Sequence, residues 1–291
     1  MSAIPETSLS GRRLAALLAV QLLFGMHPIA SKLAFPAFGP GGVCAARAIG
    51  AAIVFQIARL VLREAPLDPT LHPRILLASL LGIVSNQLLF IYGLQRTTAT
   101  HASLLIVTVP VATLFVAIVA GREKPLWHRI VGISIAFSGA ALVVSGRGSV
   151  AGGNLVGDLM IVTNAFAYGC YLVISRDLLA TVPPLTLVAW LFTWGAPVVL
   201  LVTGVPTPVD ATGHDWAALA FIVLGPTIGT YFLNLFALRS LPSSIVAVFV
   251  CLQPVVTGLL AVWLLGEELT ARTLAAGALT IVGVLVATRT G

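Results

Sequence analysis

The stretches VPVATLFVAIVAGRE (109–123) and QPVVTGLLAVWLLGEE (253–268) read as two versions of one phrase. Pro110 aligns with Pro254, Thr113 with Thr257 and Glu123 with Glu267, all at an offset of 144 residues. The same offset aligns Gly139 with Gly283 and, near the start of each half, Gly25 with Gly169, Ser31 with Ser175 and Lys32 with Arg176. Two halves, 1–148 and 149–291, are therefore expected to share one architecture. Each phrase is a long apolar run that ends in a glycine turn and an acid.

Such runs fill the chain. Of 291 residues, 58% are hydrophobic and 9% charged, against roughly a quarter charged in a soluble domain. So few charges cannot clothe a water-facing surface, and lipid resolves the conflict. A spanning helix needs about 20 apolar residues. Runs of that length fall at about 14–34, 40–62, 73–94, 98–120, 127–146, 155–176, 184–204, 215–238, 243–265 and 272–288. Turn residues punctuate the joints, as at 35–40, 121–125 and 204–213. The first run is read as a working span rather than a signal peptide, since it is long and carries His27, Pro28 and Lys32. The expected fold is an all-α integral membrane bundle of ten transmembrane helices.

The basic residues orient it. With the N-terminus in the cytoplasm, Arg12, Arg13, Arg59, Arg63, Arg74, Arg122, Lys124, Arg129, Arg176, Arg239 and Arg289 fall inside. Only Arg96, Arg147 and Arg272 fall outside, a clear positive-inside bias with both termini cytoplasmic. The net charge of +6 is scattered singly or in pairs, which excludes a nucleic-acid partner. Trp127, Trp216 and Trp263 fall at span ends, where indoles favour the interface. Five spans per half is an odd number, so the second half enters from the opposite face. That is an inverted-topology repeat, the architecture of many secondary transporters.

Polar groups inside a bilayer are costly, so each marks a candidate site. In the sixth span Asn164, Tyr168 and Tyr171 follow i, i+4, i+7, and Thr227, Tyr231 and Asn234 repeat the pattern in the eighth. Asn86 and Gln87 stand in the third, near Ser79 and Gly82, and Gln253 precedes Pro254 in the ninth. With His27 and Trp190 these residues are assigned to a shared substrate cavity; the alternative is that the amides serve as interhelical glue. Lys32 and Arg47 either meet a substrate carboxylate or act at a gate, or else snorkel and brace a helix end. Pro110 and Pro254 are matched mid-span prolines, expected to kink their helices as hinges.

Every Asp and Glu falls in a loop, tail or span end. A proton-driven antiporter usually needs a carboxylate in its cavity, so uniport is the expectation. His27, the one mid-span group that titrates near neutrality, leaves proton-coupled efflux of drugs or toxic compounds as the alternative. The five histidines show no metal spacing, and Cys44, Cys170 and Cys251 form no CxxC. No nucleophile–base pair stands out either, so neither metal, cofactor nor enzymatic activity is expected. Gly132 and Gly139, with Gly277 and Gly283, suggest close helix packing in a monomer, or a weak homodimer.

The phrase LFGMHPIASKLAF (23–35), followed by Pro40 and Arg47, resembles the opening of the EamA-type drug/metabolite transporters. The two phrases quoted first resemble that family's P…(G)E helix ends, each followed by a glycine-bearing helix. The likeness covers essentially the whole chain and looks most like the bacterial aromatic and neutral amino-acid exporters. It implies ten helices, cytoplasmic termini and export of metabolites, often amino acids, from a cell inner membrane. The second half departs from the pattern, since Leu191, beside Trp190, stands where an arginine matched to Arg47 would fall.

Overall fold

A computed structural model describes residues 11–122, 124, 126–145, 154–205, 207–241 and 243–287. Glu123, Arg147, Arg289 and the expected boundary at 148–149 lie outside the described residues. Among those described, the chain is all helix, with no strand. By length and composition six helical stretches suffice to cross a membrane: 14–61, 69–96, 99–119, 155–178, 184–203 and 213–239. Shorter apolar stretches run over 130–139, 249–265 and 271–283.

The helices are α1 (Gly11–Val61), α2 (His72–Ser79), α3 (Asn86–Arg96), α4 (Ala99–Ile106) and α5 (Val109–Val119). Then follow α6 (Trp127–Ser145), α7 (Leu155–Leu178), α8 (Pro184–Thr203), α9 (Gly213–Val223), α10 (Thr230–Ser240), α11 (Ser243–Val248), α12 (Gln253–Leu265) and α13 (Ala271–Ala287). The turn expected at 35–40 is instead a break inside α1 at Gly39, whose φ of 62° and ψ of 168° suit glycine alone.

The 144-residue offset recurs in the backbone. The first residues of α3, α5 and α6 are Asn86, Val109 and Trp127; those of α10, α12 and α13 are Thr230, Gln253 and Ala271. Most tellingly, α2 passes into α3 through a π-helical turn, Leu80–Ser85, and α9 into α10 through another, Leu224–Gly229. Two π turns at one offset are a property of the repeated unit, because such turns are rare and local.

Polarity is arranged inside out. Large apolar side chains such as Val119, Leu201, Leu259 and Trp263 face outward, while Gln21, Arg47, Gln87, Asn164 and Asn234 are buried. Lipid covers the first set without cost and cannot solvate the second, so the chain is a multi-pass membrane protein. α6 packs chiefly on α13. Glycine permits the approach: a Cβ on Gly139 would lie 2.3 Å from Thr280 Oγ1, and one on Gly283 2.3 Å from Ala136 N.

Two polar networks fasten the ends. At one, Lys32 Nζ donates to Thr97 O (2.9 Å) and Thr97 Oγ1 donates to buried Asp158 (2.7 Å). There Glu267 also accepts from Ala99 N (2.7 Å), Thr100 N (2.9 Å) and Thr100 Oγ1 (2.7 Å), filling the open N-terminus of α4. At the other, Arg176 Nη1 donates to Leu241 O (3.0 Å), while Arg122 pairs with Asp177 and Arg74 lies 3.8 Å from the same carboxylate. Asp158 and Asp177 are separated by about 28 Å of α7 at 1.5 Å per residue, so the networks close opposite ends.

Candidate functional site

Between those ends lies a cavity lined by α1, α3, α4, α5, α7, α10, α11 and α12 with the short 249–252 turn. Its lining is paired by the repeat. Val20 and Asn164, Phe24 and Tyr168, Phe90 and Asn234, Ile106 and Val250, and Val109 and Gln253 all line it, each pair 144 residues apart. In four of these pairs the first half supplies an apolar side chain and the second a polar one. The site is therefore symmetric in position and asymmetric in chemistry. Gln21, His27, Arg47 and Asn86 add polar groups from the first half.

The π turns build two of its supports. At the first, the Tyr231 hydroxyl donates to Gly82 O (2.8 Å), with Asn86 Oδ1 3.0 Å away as a second acceptor. Gly82 is needed for close approach, because a Cβ there would lie 2.1 Å from the Tyr171 ring. At the second, Arg47 Nε donates to Thr227 Oγ1 (2.8 Å), and that hydroxyl donates to Ile222 O (2.8 Å). Side-chain bonds then cross the cavity. Asn86 Nδ2 donates to Asn164 Oδ1 (3.0 Å), Asn234 Nδ2 to Tyr168 OH (2.8 Å) and Gln253 Nε2 to Gln21 Oε1 (2.7 Å). The His27 ring stacks on Phe90 with centroids 5.3 Å apart.

Three nitrogens are left over. Arg47 Nη1, His27 Nε2 and Asn164 Nδ2 are buried without a hydrogen-bond partner among the described residues, and all three residues line the cavity. Buried polar atoms without partners are costly, and their gathering at one cavity makes it the candidate site for a solute. No Asp or Glu lines it among the described residues.

Of the residues singled out in the sequence, His27, Arg47, Asn86, Asn164, Tyr168, Asn234 and Gln253 meet at this cavity. Gln87, Tyr171 and Tyr231 are fully buried behind it. Trp190 is elsewhere: it stands edge-on to His72 (4.7 Å) with the Arg59 guanidinium 5.6 Å from its ring centre. Lys32 lies outside the cavity, committed to Thr97. Pro110 and Pro254 sit in the first turns of α5 and α12, directly after the turn at 107–108 and the 3-10 turn at 249–252, where regular α-helical bonding is interrupted. Gln21 was not singled out, although it is the only amide in the run 14–34; that isolation was its signal.

The sequence profile of the EamA-like transporter family matches residues 13–145 and, a second time, 155–289. A Streptantibioticus cattleyicolor protein named "Probable terminal-alkyne amino-acid exporter" is 31% identical over 228 residues, covering 75% of this chain and 73% of its own. An Archaeoglobus fulgidus protein named "Uncharacterized transporter" is 29% identical over 219 residues, covering 72% and 75%. A crystal structure 19% identical in sequence superposes with a TM-score of 0.70 over 97% of each chain, a likeness of fold.

Proposed function

The chain belongs to the EamA-like transporter family, and we propose that it exports aromatic or neutral amino acids, or similar small metabolites, by alternating access. In this reading it crosses a cell inner membrane ten times, with both termini cytoplasmic. The break at Gly39 divides α1 into two spans, and halves 1–148 and 149–291 are inverted copies that exchange shapes. The recurrence of helix starts and π turns at one offset supports this, as does the double family match. A relative named as an amino-acid exporter supports the direction and the substrate class.

The observation that carries the proposal is the cavity itself. Apolar Val20, Phe24, Phe90, Ile106 and Val109 face a set of amides, a tyrosine and a guanidinium contributed by both halves. An amphoteric solute with an apolar side chain matches that division. The cavity is complete within one chain, so a monomer suffices and any homodimer is weak. No cofactor, metal or catalysis enters the proposal.

Transport is read as uniport, because no carboxylate lines the cavity among the described residues to exchange a proton for substrate. Purified protein in proteoliposomes should show counterflow of labelled phenylalanine without any imposed pH gradient. A flux that requires such a gradient, and is lost in His27→Ala, would replace uniport by proton-coupled efflux. Absence of counterflow with every amino acid would remove the substrate assignment.

A further inference from the structure

Arg47 is a buried charge with few partners among the described residues. Its side chain is 1% exposed, and arginine keeps its proton even when buried. Among the described residues its only hydrogen bond is the 2.8 Å contact from Nε to the neutral Thr227 hydroxyl. Nη1 has no partner, and among the described residues no Asp or Glu pairs with the guanidinium. A cation in a low-dielectric interior attracts an anion strongly, and here Arg47 lines the cavity.

The acceptors offered to a cation are of another kind. Gln21 Oε1 already accepts from Gln253, Asn164 Oδ1 from Asn86, and the Tyr168 oxygen from Asn234. All are neutral. Lys32 does not line the cavity and donates to Thr97 O at the end of the bundle. Unpartnered nitrogens are therefore gathered at Arg47, His27 and Asn164, and among the described residues no Asp or Glu lines the cavity to meet an ammonium group.

Resting on the transport proposal above, we infer that Arg47 is the receptor for a substrate carboxylate and that the site selects for this group and not for an amine. An amino acid enters as a carboxylic acid whose ammonium group is tolerated. Carboxylic acids lacking the amine are then ligands of the same site, and amines lacking the carboxylate are not. Guanidinium and carboxylate suit each other because two parallel N–H groups meet two oxygens.

Three probes with one ring and one chain length separate these cases: phenylalanine, 3-phenylpropanoate and 2-phenylethylamine. Each is titrated against the purified full-length protein by thermal stabilisation, and then used to compete with labelled phenylalanine in counterflow. We expect 3-phenylpropanoate to bind within about tenfold of phenylalanine and 2-phenylethylamine to bind about 100-fold or more weakly, as for a lost buried charge pair. Arg47→Gln should weaken both carboxylates by about 100-fold and leave the amine unchanged, with Arg47→Lys intermediate. Amine binding as tight as that of the acid, carboxylate binding unaffected by Arg47→Gln, or no stabilisation by either carboxylate would each overturn the inference. Should Arg47→Gln fail to fold, the ligand series on the unaltered protein decides alone. Phenylalanine counterflow with no competition from the acid would sink the inference and leave amino-acid transport standing. Stabilisation by the acid without any amino-acid flux would do the reverse.

Discussion

Lys32 Nζ lies 2.9 Å from the carbonyl oxygen of Thr97, and 144 residues on Arg176 Nη1 lies 3.0 Å from the carbonyl of Leu241. Thr97 and Leu241 are the residues that end α3 and α10. In each half a cation, Lys32 before the Gly39 break of α1 and Arg176 near the end of α7, thus caps the carbonyl end of the helix that follows the π turn. The favourable meeting of a cation with a helix C-terminus explains why a basic residue stands at both positions. Lys32 therefore acts as a structural tie between two helices of its own half.

A test follows from the unequal burial of the two ties. Lys32 is half-buried and Arg176 is exposed, and a charged hydrogen bond is worth more where water is excluded. Lys32→Met should destabilise the detergent-solubilised protein by about 1.5–3 kcal/mol. Arg176→Met should cost less, about 1 kcal/mol or below. Thermal unfolding measures both. Lys32→Met should leave the half-saturation for substrate unchanged; a large rise in it would reassign Lys32 to the cavity.

Glu267 supplies the second tie at that end. Its carboxylate satisfies the backbone N–H groups of Ala99 and Thr100 and the Thr100 hydroxyl, while Thr98 caps α4 on His101 N. An anion at a helix N-terminus is stabilising, and these N–H groups have no partner within the helix. Glu267→Gln keeps the shape but exchanges two charge-assisted acceptors for one neutral oxygen and an amide donor. It should lower stability by about 1–3 kcal/mol, read as a lower unfolding temperature. Glu267→Asp should not rescue it, since the shorter side chain falls short of α4.

Much of this was legible in the sequence because spans in lipid are written in apolar runs bounded by turns. The runs expected at 127–146, 155–176, 184–204 and 272–288 correspond to Trp127–Ser145, Leu155–Leu178, Pro184–Thr203 and Ala271–Ala287. Polar stripes at helical spacing led to Asn164, Tyr168 and Asn234 because amides and phenols in an apolar run need partners. What escaped was backbone detail. Composition does not say that the chain widens into a π turn at Leu80–Ser85, or that 107–108 breaks the helix before Pro110. Trp190 escaped for a different reason: its place in an apolar run does not say which face of α8 turns inward. Its neighbour Leu191 is fully buried, while Trp190 turns toward His72 and Arg59.

Glycine supplies a paired prediction in which one substitution controls for the other. A methyl group on Gly283 would meet Ala136 N at 2.3 Å and Gly132 O at 2.7 Å, both backbone atoms that cannot swing aside. Gly283→Ala must then push α13 from α6, at about 1–3 kcal/mol. Gly258 in α12 has nothing within 4 Å of such a methyl, so Gly258→Ala should be neutral or stabilise by up to about 1 kcal/mol. Unfolding temperatures that moved alike in the two variants would contradict the contact described at α6 and α13.

Thr227 offers the sharpest way to disturb Arg47 without removing its charge. The hydroxyl accepts from Arg47 Nε and donates to Ile222 O, so it fixes the guanidinium relative to the second π turn. Thr227→Val is nearly isosteric but takes the acceptor away and leaves the cation with no hydrogen-bond partner among the described residues. Thr227 is a positioning residue, and its effect should appear where Arg47 meets substrate. Half-saturation in counterflow should rise by roughly tenfold, equivalent to about 1.4 kcal/mol, while the maximal rate changes little. Thr227→Ser, which restores the hydroxyl, should recover most of the loss. A fall in maximal rate with half-saturation unchanged would mean instead that Thr227 serves the movement of α10 and not the placement of Arg47.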